Sequence, residues 1–190
     1  DGTADQCEYI DLGFVPKQII KHKNIMIYGD LTYGGASYPQ SIRTSDIAKP
    51  ESVTNGNATE LAVTDKPNQM MSLEGLGDFV VIYFDKFVQM LEFVGPPGMW
   101  RISTAVADIG CVAPRGVTTF SNIHWFISDD GAYQFDGQQT TRLAEHVFAP
   151  VMQGTFDVFR AKQSIMHVDP FHGEVHFILP LASDALTETS

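Results

Sequence analysis

Residues 78–95, DFVVIYFDKFVQMLEFVG, and residues 121–137, SNIHWFISDDGAYQFDG, share one layout. Each has an apolar strand, a tight Asp-containing turn, a second strand with aromatic residues and a closing Gly. The offset between them is about 43 residues. Working outward, the first copy extends to four short apolar runs between Met70 and Ala105: MMSLEGL, FVVIYF, FVQMLEFV and WRISTAV. They are separated by Gly77-Asp78, Asp85-Lys86 and Gly95-Pro96-Pro97-Gly98, all turn formers. The second copy extends from Gly116 to Leu143 as GVTTF, IHWFI, AYQFD and TTRL. Two successive four-stranded antiparallel meanders at a period of 40–50 residues predict the blades of a β-propeller, in which each small sheet must stack its faces on its neighbours.

The flanks fit the same unit less fully. Asn24–Tyr28, a Gly34-Gly35 turn, Ser41–Thr44 and a short strand at Leu61–Val63 predict an earlier blade. Lys49-Pro50, Asn55-Gly56 and Lys66-Pro67 break the polar stretch Ile47–Asn68 into a long surface connection. Lys162–Val168 and Glu174–Leu179 predict strands of a later blade, entered through a helical turn or two between Leu143 and Phe159. The expected organisation is an N-terminal extension over 1–20, blades at about 21–69, 70–105, 116–143 and 144–179, and a C-terminal tail over 180–190. About four blades make an incomplete propeller, either closed by residues outside this chain or left open.

Composition agrees with an all-β class. Thirteen Phe, 6 Tyr and 2 Trp stand beside 16 Gly and 10 Pro, a mixture of strand formers and turn formers. No apolar run approaches the roughly 20 residues that cross a bilayer, so no membrane segment is expected, and residues 1–13 lack the pattern of a signal peptide. Twelve basic against 23 acidic residues give a formal charge of −11, which opposes any broad surface that grips phosphate by counterion release. Like charge would instead let a duplex slide past without sticking. Cys7 and Cys111 lack the close spacing of a zinc or redox pair and read as free thiols, with one long-range disulfide as the alternative.

The stretch Gly110-Cys111-Val112-Ala113-Pro114-Arg115-Gly116-Val117 precedes the apolar strand IHWFI and then Ser128-Asp129-Asp130-Gly131-Ala132-Tyr133-Gln134-Phe135-Asp136-Gly137. This order resembles the tail-tube, nozzle or packaged-DNA stabilisation proteins of short-tailed DNA bacteriophages, in which a G-C-x-A-P-x-(S/G)-V segment is followed by a hydrophobic strand and an S-x-D-G-x-Y-x-x-D-G hairpin. Two flanking segments are similar too: Tyr38–Asp46 to a P-x-x-(V/I)-x-x-S-D strand, and Gly173–Phe177 to a G-E-V-x-(W/F) strand whose usual Tyr-Pro is here Ile178-Leu179-Pro180. The resemblance implies a non-enzymatic virion protein forming a homo-oligomeric ring in the tail. Its channel would conduct or retain the genome, DNA passing without tight binding, and its surface would contact neighbouring tail or portal-adaptor proteins.

The residues themselves carry a matching local reading. Asp130-Gly131 and Asp136-Gly137 suit tight turns with positive φ. Alternation places Ile123, Trp125 and Ile127 on one face of their strand, with Trp125 buried, and His124 and Phe126 on the other.

Candidate chemistry is thin. His167, Asp169, His172 and His176 can be imagined as metal ligands, but Asp169-Pro170 and His172-Gly173 are ordinary turn chemistry. Ser128–Gly131 faintly resembles the Asp-box turn of sialidase-type propellers, itself structural. Calcium at Asp129, Asp130 and Asp136 lacks EF-hand spacing. No nucleophile elbow, phosphate loop or H-E-x-x-H helix is present, and no acidic pair stands out for glycoside hydrolysis. No catalytic, cofactor or metal residue is therefore expected. Met99, Trp100 and Arg101, beside the Pro-Pro turn, are the candidate subunit contact, against a loop that packs its own Trp100 into the blade; Arg115 and Arg142 are candidates for salt bridges between subunits, or for plain solvation. The alternative function is a carbohydrate- or receptor-binding propeller module of the tail-fibre or lectin type.

Overall fold

The structure is a computed structural model that describes residues 11–64, 67–96 and 98–182. Cys7, and with it the disulfide alternative, lies outside the described residues, as do Lys66, Pro97, the first ten residues of the expected extension and residues 183–190 of the expected tail. The chain divides into two compact units, residues 1–65 and 66–190.

The first unit is one four-stranded antiparallel sheet in chain order: β1 (Val15–His22), β2 (Ile25–Tyr33), β3 (Ala36–Thr44) and β4 (Thr59–Ala62). Lys23 and Asn24 join β1 to β2 with φ of 44° and 62°, and Gly34 and Gly35 join β2 to β3 at 57° and 78°. Both loops have two residues with positive φ, the twist that matches paired strands. Phe14, Tyr28, Leu31 and Val53 form the core. The sheet starts at Val15, so the expected extension over 1–20 is corrected: VPKQIIKH pairs with β2 from Val15 to His22. Its Pro and two Lys disguise a strand, and both features are typical of a sheet edge.

The second unit holds two further four-stranded sheets, again in chain order. One is β5 (Met70–Leu76), β6 (Phe79–Phe84), β7 (Val88–Gly95) and β8 (Met99–Val106); the other is β9 (Val117–Phe120), β10 (Ile123–Ile127), β11 (Ala132–Phe135) and β12 (Thr140–Leu143). All eight strands fall where the apolar runs predict them. The chain is thus all-β with blade-like sheets. Val81 and Tyr83 of one sheet pack with Phe126 and Phe135 of the other, all fully buried, in a cluster that also holds Cys111 and Val117. Burying each such side chain stabilises the fold by about 1.5–3 kcal/mol.

The expected blade at 144–179 is incomplete. Helix α1 (Glu145–Gly154) and a 3₁₀ segment (Val158–Gln163) are followed by a two-stranded sheet, β13 (Ile165–Asp169) and β14 (Glu174–Ile178). Only two strand-like runs exist in this stretch, and helix and turn residues occupy the rest. Alone, such a hairpin would be marginal. It is held because Met166 N–H donates to Arg115 O at 2.8 Å and Met166 packs with Ile127, Met152 and Phe156.

Candidate functional site

The residues that carry the family resemblance are spent on joining strands and sheets. Between β8 and β9, Cys111 N–H donates to Phe84 O at 2.8 Å, Val112 N–H to Ile127 O at 3.0 Å, and Gly116 N–H to Ala113 O at 3.0 Å. Ile127 N–H donates back to Gly116 O. One eight-residue connector therefore ties the β5–β8 sheet, the β9–β12 sheet and, through Arg115, the β13–β14 hairpin. Gly110 is required by contact: a Cβ there would sit 2.3 Å from Phe84 O and 2.4 Å from Lys86 N. The Cys111 thiol donates to Ala113 O at 3.2 Å, and burial pushes its pKa up to about 12. It is a free, buried thiol in its neutral form, not a nucleophile.

The Ser128–Gly137 hairpin is equally structural. Ser128 N–H donates to Gly131 O, the Tyr133 hydroxyl donates to Asp130 Oδ2 at 2.8 Å, and Arg142 Nη2 donates to Asp130 O at 2.6 Å while Nη1 reaches Glu145. Gly137 has the positive φ expected of it, 96°. Gly131 does not, which corrects that reading: its lack of a Cβ makes room for Arg142, whose Nε would lie 3.3 Å from one. Asp129 pairs with Lys86 at 2.6 Å, and Asp136 accepts from Gln138 and Gln139 backbone N–H groups. The three carboxylates thus serve separate partners.

In the first unit, Asp46 works in the same way. Its Oδ1 accepts from both the backbone and side-chain nitrogens of Asn57, which hold the carboxyl below its usual range, while Ser45 Oγ accepts from Met26 N–H. Beside them a stack runs Phe14, Arg43, Tyr33, Tyr38. The Arg43 guanidinium sits 4.7 Å from the Phe14 ring centroid and 5.2 Å from that of Tyr33, and Tyr33 stacks on Tyr38 at 4.3 Å. Tyr33 hydroxyl and Arg43 both donate to Glu60.

Met99 and Trp100 are each only 8% exposed. Trp100 meets Phe93 edge-on at 5.1 Å, so the sheet packs its own Trp and presents neither residue. Arg101 is exposed but pairs with Glu92 across the strands. At the β13–β14 hairpin, His167 faces His176 across the strands with ring centroids 6.4 Å apart, and His172 Nδ1 is 2.6 Å from Asp169 Oδ2, which helps hold the Asp169 carboxyl below its usual range. Among the described residues no three His, Cys, Asp or Glu side chains form a group that could hold a metal ion.

Two features escape the sequence reading. His124 is fully buried together with Phe126 and Ile127, whereas Trp125 is half-buried; the His124 Nδ1 is 2.9 Å from the Tyr83 hydroxyl and its Nε2 3.0 Å from Gly75 O. The only polar side chain in an apolar strand was the available signal. The second is a cleft of about 320 Å³ in the second unit, floored by Met71, Val112 and Phe156 and flanked by Val158, Phe159 and Lys162. The 3₁₀ segment that builds its wall has no periodicity to read.

No model of a known protein family matches this chain, and no curated protein matches it significantly.

Proposed function

We propose that this chain is a structural component of the tail of a short-tailed DNA bacteriophage, part of a ring that conducts or retains the packaged genome and docks neighbouring tail or portal-adaptor proteins. One observation carries the reading: every motif of the resemblance, from Asp46 through Gly110–Val117 and Ser128–Gly137 to Glu174–Phe177, is engaged in hydrogen bonds that hold turns, strands and sheets together. Those motifs describe a scaffold, as a conduit requires. The formal charge of −11 supports passage of DNA without adhesion. Closure of the sheets into a complete propeller, with further strands, belongs to the same proposal.

Immunogold labelling of phage particles purified from cells that produce this protein tests it. Label confined to the tail is expected; particles free of label, or labelled elsewhere, would overturn the reading.

A further inference from the structure

Two phenylalanines of the second unit lie almost wholly in water: Phe159 is 97% exposed and Phe171 is 90% exposed. They differ in setting. Phe159 stands at the mouth of the 320 Å³ cleft, whose floor of Met71, Val112 and Phe156 is apolar. Phe171 stands at the tip of the β13–β14 hairpin, remote from any wall. The backbone of that tip is held by Asp169 Oδ1, which accepts from both Phe171 N–H at 2.9 Å and His172 N–H at 3.1 Å, while Phe171 lies edge-on to the His172 ring. An aromatic side chain has only two rotatable bonds, so it loses little entropy on docking, and it leaves water with a large apolar area.

We propose that Phe171 of one copy inserts into the Phe156–Phe159 cleft of the next, as the anchor of a head-to-tail contact. Size fits: the cleft is large enough for a phenyl ring. Charge fits as well. Asp129 in the cleft is paired with Lys86, and Asp85 accepts from Asn68 Nδ2 and Gln69 N–H, whereas the Lys162 ammonium donates only to the neutral Gln69 Oε1. The knob brings Asp169, 2.6 Å from His172 Nδ1, and the exposed Glu174, 3.5 Å from His176 Nε2, beside Phe171, so two carboxylates with only imidazoles as ion-pair partners meet the ammonium that lacks a counter-ion among the described residues. Knob and hole are different patches of the same unit. The contact is therefore heterologous and propagates from copy to copy until a ring closes or a filament grows. A buried Phe covers roughly 150–250 Å², while stable interfaces bury about 1,200–2,000 Å². A single junction is accordingly weak, and ring closure multiplies it. The inference rests on the ring reading and names its contact.

The test replaces Phe171 in the full-length protein with the photo-reactive aromatic p-benzoylphenylalanine. Copies labelled with ¹⁵N are mixed with unlabelled copies, irradiated, and the cross-linked peptides are mapped. Mixed-isotope links from position 171 to residues 156–162 are expected, with their yield falling at least tenfold when the copy supplying the cleft carries Val158→Glu, a change at an exposed position that circular dichroism should find folded. Links confined to one copy, links to other surfaces, absence of links between copies, or a yield indifferent to Val158→Glu would each overturn the contact. Closed rings with links elsewhere would remove the knob and leave the ring reading standing. Cleft links in open chains alone would support the contact and remove the ring.

Discussion

Tyr83 of β6 and His124 of β10 hydrogen-bond across two sheets, the tyrosine hydroxyl donating to Nδ1 at 2.9 Å while Nε2–H donates to Gly75 O. A carbonyl only accepts, so the geometry fixes a proton on Nε2, and burial, which disfavours the charged ring, leaves Nδ1 to accept from the tyrosine. Burial lowers the His124 pKa below 6.5, since the charged form would lose its water.

The folded state thus binds fewer protons than the unfolded state once the pH falls to about 6.5, and stability should decline from there until the folded imidazole itself titrates. Glu74, whose carboxyl burial pushes upward, acts in the opposite sense over part of that range. Thermal melts between pH 7 and pH 5 on wild type and His124→Asn should isolate the histidine: the decline is expected to be steeper in wild type. Parallel slopes would contradict the assignment.

Tyr83→Phe removes only the hydroxyl and leaves Nδ1 buried without a donor. A loss of about 1–3 kcal/mol in urea unfolding is expected. An unchanged midpoint would mean that the bond contributes nothing.

Glycines of the resemblance motifs should respond to alanine for different reasons. Gly110→Ala drives a methyl into backbone at Phe84 and Lys86 and should cost at least about 2 kcal/mol. Gly137→Ala pays for a φ of 96° and should cost about 1–2 kcal/mol. Gly131→Ala meets only the Arg142 side chain at 3.3 Å and should cost less than about 1 kcal/mol. Chemical denaturation ranks them; Gly131 as the most sensitive of the three would refute the packing argument.

Cys111 should resist thiol reagents in the native protein, its thiol being buried with a pKa of about 12. Labelling in native buffer, followed by peptide mapping, should leave the Cys111 peptide unmodified until denaturant is added. Rapid native labelling of that peptide would contradict the connector geometry.

These outcomes bear on what sequence can disclose. Strands β5–β12 were legible because each is a short apolar run bounded by turn residues, and Gly34-Gly35 and Gly77-Asp78 mark hairpins by themselves. β1 was not, since Pro16, Lys17 and Lys21 at an edge hide the alternation. The function of Gly131 was misread because an Asp-Gly pair signals a turn, whereas the contact that demands glycine comes from Arg142, eleven residues on. Alternation put Trp125 on the buried face, yet His124 and Phe126 on the other face lie deeper, His124 because Tyr83 and Gly75 satisfy both of its nitrogens. The Pro-rich turn left Met99 and Trp100 open between a subunit contact and packing into their own blade, and Phe93 across the strands, which covers the indole, decides for the second. Contacts between distant elements decide such points, and periodicity contains none of them.

The most direct test of the structural-conduit account is the assembly state of the full-length protein, measured by native mass spectrometry with negative-stain images of the same sample. The account predicts a single closed stoichiometry and ring-shaped particles with a duplex-wide channel. A protein that stays monomeric at virion-like local concentrations, or particles with no axial channel, would contradict it.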